Sequence, residues 1–282
     1  MLYFILSDIH GNLEALVSVL KDIMTSPQIN QETRDKVLVG LEYAHREETS
    51  NIFPKPTNNP CKIVSLGDII GYGAKPNECI EIVRNIADIS VLGNHEDILF
   101  DLEERNLSNE EIKSQFEWTE KNLSPENKKY LEELYQKEKF IHSVENLTFS
   151  HGVPTSPRQF HYNKGLEVAQ WFKARSFKGK ISFMGHCHAV YFFGNLKGEL
   201  VKHQLKSLAI PFSLKGYHRI LLSVPGVGQP RDGNYQTGYL IYDSESRRVL
   251  IRRLDYNFNV TQRDILVAGF PEKYIYRLEK GI

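Results

Sequence analysis

Eight polar side chains carry the potential chemistry of this chain, and they fall in five short clusters. These are Asp8-Ile9-His10, Gly67-Asp68, Gly93-Asn94-His95-Glu96, His151-Gly152 and Gly185-His186-Cys187-His188. Two aspartates, one asparagine and five histidines are what a pair of neighbouring divalent cations needs: imidazole and oxygen ligands, with one carboxylate able to bridge. A carboxylate such as Asp68, set between ions ~3.5–4 Å apart, offsets their mutual repulsion. Neutral imidazoles suit Mn, Fe, Zn or Ni better than Ca or Mg.

Taken singly, each cluster has a plain structural reading. Asp8-x-His10 suits a turn entering a helix, and Gly67-Asp68 is a common turn. Asn94-His95 suits a helix cap beside a surface histidine, and His151 a satisfied histidine at a strand end. Gly185-His186-Cys187-His188 is more specific, because two imidazoles one residue apart on an extended segment can meet one ion. The ordered set of five points to a dinuclear metal centre.

Each cluster follows an apolar run of strand length. Leu2–Leu6 is continuously apolar, as in a strand buried on both faces. Similar runs cover 63–66, 89–92, Leu147–Ser150 and Ile181–Met184. Strands fix the backbone, and the loops beyond their ends direct side chains into one crevice, with Gly67, Gly71, Gly93, Gly152 and Gly185 permitting sharp turns. Helices fit between the runs. Asn12 caps one with Leu13, Leu16, Val17 and Leu20 as its apolar face, and Pro76 opens another. The pattern from 96 to 139 is helical, with Ser108 and Ser124 as caps. A further helix is expected near 165–174.

Residues 26–60 break this rhythm and end in a Pro/Asn-rich stretch. They read as an insertion or excursion loop, with a short helix near 32–45. After His188 the runs 190–193, 199–205, 219–224, 237–242 and 249–254 look like antiparallel strands. Two C-terminal helices within about 257–282 finish the chain. Strand–helix alternation followed by antiparallel strands predicts an α/β sandwich of two facing sheets.

The bulk properties exclude several function classes. The chain has 282 residues, 41% hydrophobic and 25% charged, which suits one domain with a sizeable core. Its 35 acidic and 35 basic residues balance, so neither a broad nucleic-acid footprint nor a membrane-binding one is expected. Three cysteines, Cys61, Cys79 and Cys187, form no CxxC pair and suit a reducing compartment. The first apolar run is too short for a signal peptide, and no run reaches transmembrane length. The expected location is the cytoplasm.

The five clusters, as an ordered set, resemble the signature blocks of the calcineurin-like metallophosphoesterases, over residues 1 to about 242. The stretches Leu66-Gly-Asp-Ile-Ile-Gly-Tyr-Gly73 and Pro225-Gly-Val-Gly-Gln-Pro-Arg-Asp232 are similar to the small prokaryotic branch of phosphodiesterases and diadenosine tetraphosphatase-like enzymes. This resemblance implies a single domain over 1–282 with a four-layered α/β/β/α fold, two facing mixed sheets flanked by helices. It implies two divalent transition-metal ions (Mn2+, Fe2+, Ni2+ or Zn2+). Asp8, His10, Asp68 and His188 would hold one, and Asp68, Asn94, His151 and His186 the other. His95 would face the substrate and protonate the leaving oxygen, and a water between the ions would be the nucleophile.

The departures narrow the substrate. Protein-phosphatase members carry arginines where this chain has Gly71-Tyr72-Gly73 and Leu92, so the usual phosphate clamp is missing. Arg231 is the candidate replacement and Arg158 a second; Arg231 otherwise reads as a turn residue paired with Asp232. Tyr72 is a candidate for the substrate mouth. Glu96 and Asp97 read as acids favouring a helix N-terminus, and Cys187 as a packing residue. The resulting expectation is a metal-dependent phosphohydrolase acting on small phosphodiesters, nucleotides or dinucleotides. The competing readings are a protein serine/threonine phosphatase and a non-catalytic scaffold of the same fold, as in the retromer subunit. The expected partner is a small phosphorylated substrate; oligomeric state is open.

Overall fold

Every residue of β1 (Leu2–Leu6) is buried, because the strand serves two cores at once. Leu2, Phe4 and Leu6 face a cluster shared with helices, whereas Tyr3 and Ile5 face a second cluster lying between two sheets. This is the two-residue period of a strand expressed as packing. Each such fully buried side chain contributes roughly 1.5–3 kcal/mol. The structure is a computed structural model that describes residues 1–44, 57–101, 103, 105, 110–156, 158–160, 180–205 and 210–282.

Among the described residues there are twelve strands in two six-stranded mixed sheets. In the first sheet, β1 pairs in parallel with β2 (Cys61–Ser65), and β2 with β3 (Ile89–Ser90). On the other side of β1, β11 (Thr237–Asp243), β12 (Arg248–Leu254) and β9 (Phe212–Ser213) add antiparallel partners. The second sheet has the same composition. β5 (Leu147–Ser150), β6 (Ile181–Met184) and β10 (Tyr217–Ser223) are parallel. β4 (Ile141–Val144) joins antiparallel at one edge, and β7 (Tyr191–Leu196) and β8 (Glu199–Gln204) at the other. Phe149, Phe183, Phe192, Ile220 and Leu222 of the second sheet meet Tyr3, Ile5, Val64, Leu240 and Tyr242 of the first. The expected α/β fold with two facing mixed sheets is therefore present.

Helices cover the outer face of the first sheet. They are α1 (Leu13–Met24), α2 (Gln31–Tyr43) and α3 (Pro76–Ile86). Asn12 caps α1 by accepting from Ala15 N at 3.2 Å, and Pro76 opens α3, as the sequence predicts. The 26–60 stretch contributes α2 to this layer, where Val37 and Leu41 join the helix-side core; residues 45–56 lie outside the described set. The helical stretch expected over 96–139 divides into α4 (Asn94–Phe100), α5 (Glu110–Asn122) and α6 (Pro125–Gln136). Ser124 caps α6, whereas Ser108 lies outside the described residues. The C-terminal helices α7 (Phe258–Val267) and α8 (Glu272–Lys280) form as expected.

The outer face of the second sheet carries a small cluster of Met184, Cys187, Phe193 and Leu221, so Cys187 packs. The helix expected near 165–174 lies outside the described residues.

Candidate metal centre

The parallel strands of both sheets deliver their following loops to one place. The Asp8–Gly11 loop continues the pairing of β1 and β2 beyond the strand ends. Asp8 N donates to Gly67 O (3.1 Å), His10 N to Asp68 O (2.8 Å) and Gly11 N to Ile69 O (2.8 Å). His95 N donates to Asp68 Oδ1 (2.9 Å), and His186 N crosses between sheets to Asp8 Oδ2 (3.2 Å). Asp8, His10, Asp68, His186 and His188 all have left-handed backbone, with φ between 49° and 65°. Non-glycine residues held there cost on the order of 1–3 kcal/mol each, and such strain clusters at functional sites. It also corrects one expectation: 185–188 is not extended. The two imidazoles converge because both histidines turn into the left-handed region.

The ligand atoms form two groups that share Asp68. Asp8, His10, Asp68 and His188 make one; Asp68, His151 and His186 make the other, with the ligand atoms of each group within 4.8 Å of one another. Asn94 belongs with the second group, its Oδ1 lying 3.1 Å from His151 Nε2 and 2.9 Å from His186 Nδ1. The aspartate and histidine side chains of both groups are buried, and Asn94 is half-buried.

Tautomers reveal what these groups lack. His10 Nδ1 lies 3.0 Å from Ile70 O and His188 Nδ1 2.5 Å from Gln229 O. A carbonyl only accepts, so each Nδ1 bears the proton and each Nε2 is a bare lone pair. Those two Nε2 atoms lie 3.2 Å apart. His151 likewise turns Nδ1 to a carbonyl, Leu66 O at 2.8 Å, but its Nε2 meets the Asp68 Oδ2 carboxylate at 3.2 Å, where without a metal it carries a proton that a cation would displace. Lone pairs aimed at lone pairs repel unless a cation sits among them, so the donor set fits divalent metal.

The charges agree with that reading. Burial is the largest influence on His10 and His188 and holds both well below the usual imidazole value; it takes His186 down to about 3. These rings are neutral and ready to ligate. Burial opposes charge on His151 too, but Asp68, Asp8 and Glu96 outweigh it and raise its pKa to about 9. Burial, helped by Asp68, raises Asp8 to about 6. Asp68 itself is held well below the carboxylate range, since His151, His95 and His10 together outweigh burial.

Residues 1–210 match the family described as calcineurin-like phosphoesterase. The chain belongs to the calcineurin-like phosphoesterases. An uncharacterized protein of Methanocaldococcus jannaschii is 30% identical over 277 residues, spanning 98% of this chain and 97% of its own. The crystal structure of a metallophosphoesterase from Sphaerobacter thermophilus is similar at 30% identity and TM-score 0.74, each chain covered in full. A hypothetical protein from Pyrococcus horikoshii shares the fold at 15% identity, TM-score 0.66, covering 100% of this chain and 98% of that one.

In this calcineurin-like phosphoesterase the remaining candidates separate. His95 opens α4 beside Asn94, and its Nε2 is 3.9 Å from Asp68 Oδ2. Burial, with Arg231 and His151, lowers its pKa to about 4 against the pull of Asp68. Gly71 has φ +91°, and a Cβ there would run into His95 Nδ1, so the turn must be glycine for the imidazole to sit where it does. Tyr72 packs its ring against His10 (4.7 Å) and His95 (4.8 Å). Arg231 is at the site, its guanidinium carbon 5.5 Å from the Tyr72 ring centre. It does not depend on Asp232, which makes a buried pair with Arg253 instead.

Arg158 is committed elsewhere. Its Nε lies 3.4 Å from Asp97 Oδ1 and its guanidinium covers the Tyr135 and Phe140 rings at 4.9 and 5.1 Å. It braces α4 against α6 rather than reaching the ligands.

Three participants escaped the sequence. Glu96 does more than favour a helix N-terminus: Oε1 accepts from Ile69 N and Ile70 N, and Oε2 from Asp68 N and Gly93 N, at 2.7–3.2 Å. Gln229 supplies the carbonyl that fixes His188. Phe160 lays its ring against His151 (5.8 Å) and His186 (5.9 Å). Glu96 had a signal in its place in the Gly93–Glu96 block and Gln229 in the Pro225–Asp232 stretch, whereas Phe160 had none.

Proposed function

We propose that this protein is a dinuclear metal-dependent phosphohydrolase of small substrates: phosphodiesters, nucleotides or dinucleotides. The observation that carries the reading is the pair of buried donor groups sharing Asp68, with bare imidazole nitrogens facing one another. Asp8, His10, Asp68 and His188 would hold one cation, and Asp68, Asn94, His151 and His186 the second. Bound there, the cations supply Lewis acidity toward the phosphate and an activated water.

The chain's own groups do the rest. Asp68, whose backbone N–H is gripped by Glu96, keeps its carboxylate ionised between the histidines. His95 is neutral in the free site, and the negative charge of an arriving phosphate favours its protonated form. Nε2, the nitrogen turned toward Asp68, then offers that proton to the leaving oxygen. Arg231 extends positive charge to the phosphate from the Tyr72 side and partly replaces the absent clamp arginines. One guanidinium in place of a clamp pair favours a small substrate over a phosphoprotein. Among the described residues no helix is long and apolar enough to cross a membrane. All three cysteines are free and buried, which supports a reducing compartment, and we place the enzyme in the cytoplasm.

The test is protein purified without chelator, analysed for metal and loaded with Mn2+, Ni2+ or Zn2+. It is then assayed on an activated phosphodiester, a phosphomonoester, a phosphopeptide and a panel of nucleotides and dinucleotides. We expect about two ions per chain and turnover of diester or nucleotide substrates. Preferred turnover of the phosphopeptide would move the assignment to a protein phosphatase. Metal binding with no hydrolysis of any of them would leave a scaffold.

A further inference from the structure

The loop carrying Arg231 is pinned along its length before any substrate arrives. Val227 N donates to Ser7 O (2.9 Å) and Gly228 N to Asp8 O (2.8 Å). Thr237 Oγ1 donates to Val227 O (2.7 Å), and Asn12 Nδ2 to Gly228 O (2.8 Å). Arg231 N reaches His188 O at 3.2 Å. Immediately beyond it, Asp232 is locked to Arg253 of β12, both side chains being buried. The backbone of the loop is therefore bonded directly to the backbones of Asp8 and His188.

Within this rigid loop Gln229 has two jobs. Its carbonyl oxygen faces His188 Nδ1 at 2.5 Å. Its side-chain Oε1 accepts from Arg231 Nε at 3.1 Å and Nη2 at 2.6 Å. The Gln229 side chain is attached to a residue only 1% exposed, so it has little room to swing away. The Tyr72 ring supports the guanidinium from another direction, at 5.5 Å. A flexible arginine is thus held in one orientation by an in-plane acceptor and an aromatic ring.

We infer that Gln229 is a positioning residue, which aims Arg231 at the substrate phosphate through its side chain while its carbonyl independently fixes the metal ligand His188. The inference rests on the reading of Arg231 as a phosphate-holding group. Its chemical logic lies in the choice of amide. A neutral acceptor orients the guanidinium without cancelling its charge. A carboxylate at the same place would orient it equally well but would neutralise the charge and repel the incoming anion.

The experiment uses metal-loaded protein and inorganic phosphate as the probe, read by calorimetry and by competitive inhibition of diester hydrolysis. Gln229→Leu should weaken phosphate binding about tenfold, the scale of one net charged hydrogen bond. Its KM should rise by more than its kcat falls, and its metal content should be unchanged because the carbonyl remains. Gln229→Glu, which keeps an acceptor and nearly the same size, should weaken phosphate at least as much and covers the case in which the leucine variant folds poorly. Adding Gln229→Leu to Arg231→Ala should produce no further loss, since the glutamine acts through the arginine. Wild-type phosphate affinity in Gln229→Leu, or full additivity with Arg231→Ala, would overturn the inference. If Arg231→Ala itself binds phosphate as wild type does, the Arg231 reading is wrong while the metal assignment stands. A metal-loaded wild type that neither binds phosphate nor hydrolyses esters would remove the functional reading as well.

Discussion

Glu96 Oε2 accepts the backbone N–H of Asp68 at 2.8 Å, while the same oxygen accepts Gly93 N at 2.8 Å. One buried carboxylate thereby ties the loop of the shared ligand to the loop that begins Asn94-His95. Its other oxygen takes Ile69 N and Ile70 N, the latter from the residue whose carbonyl faces His10 Nδ1. Burial and the nearby Asp68 charge push the Glu96 pKa up to about 7, and the N–H donors pull it back.

Glu96→Gln tests that arrangement, because the amide NH2 must face one pair of N–H donors that the carboxylate satisfied. Groups that orient metal ligands typically account for 10–100-fold in metal affinity. Titration of the metal-free variant with Mn2+ or Zn2+ should show a loss of that size, together with a lower Tm. A variant that melts earlier yet binds metal as tightly as wild type would reduce Glu96 to a purely structural bond.

Metal binding should release protons, and the sign follows from the shifted histidines. A cation takes deprotonated ligands. His10, His186 and His188 are already neutral near neutral pH, whereas His151, raised to about 9, is charged and must lose its proton. Asp8, at about 6, adds a second proton only in more acidic solution. Apparent affinity should therefore fall by up to about tenfold per unit as pH drops below 9, and more steeply below 6. Calorimetry in buffers of different ionisation enthalpy should count about one proton released near neutrality. A count of zero would contradict the placement of charge on His151.

The ligand loops were legible because metal chemistry admits few residue types, and parallel strands put those types at strand ends. The edges were not. β4 (Ile141–Val144) is half exposed and mixed in polarity, and β9 (Phe212–Ser213) is two residues long, so neither leaves a periodic trace. The partner of a charged side chain was equally hidden. Asp232 stands next to Arg231 in sequence but pairs with Arg253, and Glu96 serves a loop 26–28 residues away. The bend at His186 and His188 depends on backbone strain that residue type alone does not announce.

His95→Ala should leave both metal groups intact, since its side chain is in neither. General acid assistance contributes roughly 10²–10⁴-fold, so kcat on a substrate with a poor leaving group should fall by that much. An activated aryl ester should suffer less, because its leaving oxygen needs little protonation. Equal losses on both substrates would mean that His95 positions rather than protonates. Gly71→Ala, whose Cβ would displace His95, should reproduce the histidine variant in part while keeping its metal.

Arg231 and Asp232 are adjacent, and their variants should nonetheless behave oppositely. Arg231 is half-buried over Tyr72 and meets the site, so Arg231→Ala should raise KM with little change in Tm. Arg231→Lys should rescue only in part, because an ammonium lacks the planar fork that Gln229 Oε1 grips at Nε and Nη2. Asp232 carries no such role. Its carboxylate is buried against Arg253, with side chains 2% and 3% exposed. Removing one partner strands the other charge, a cost of about 3–5 kcal/mol. Asp232→Ala should therefore lose stability first, and a milder Asp232→Asn should recover much of the fold with KM near the wild-type value. A rise in KM for Asp232→Asn matching that of Arg231→Ala, at temperatures where the variant is fully folded, would show that the two residues act as one unit and would reject this division.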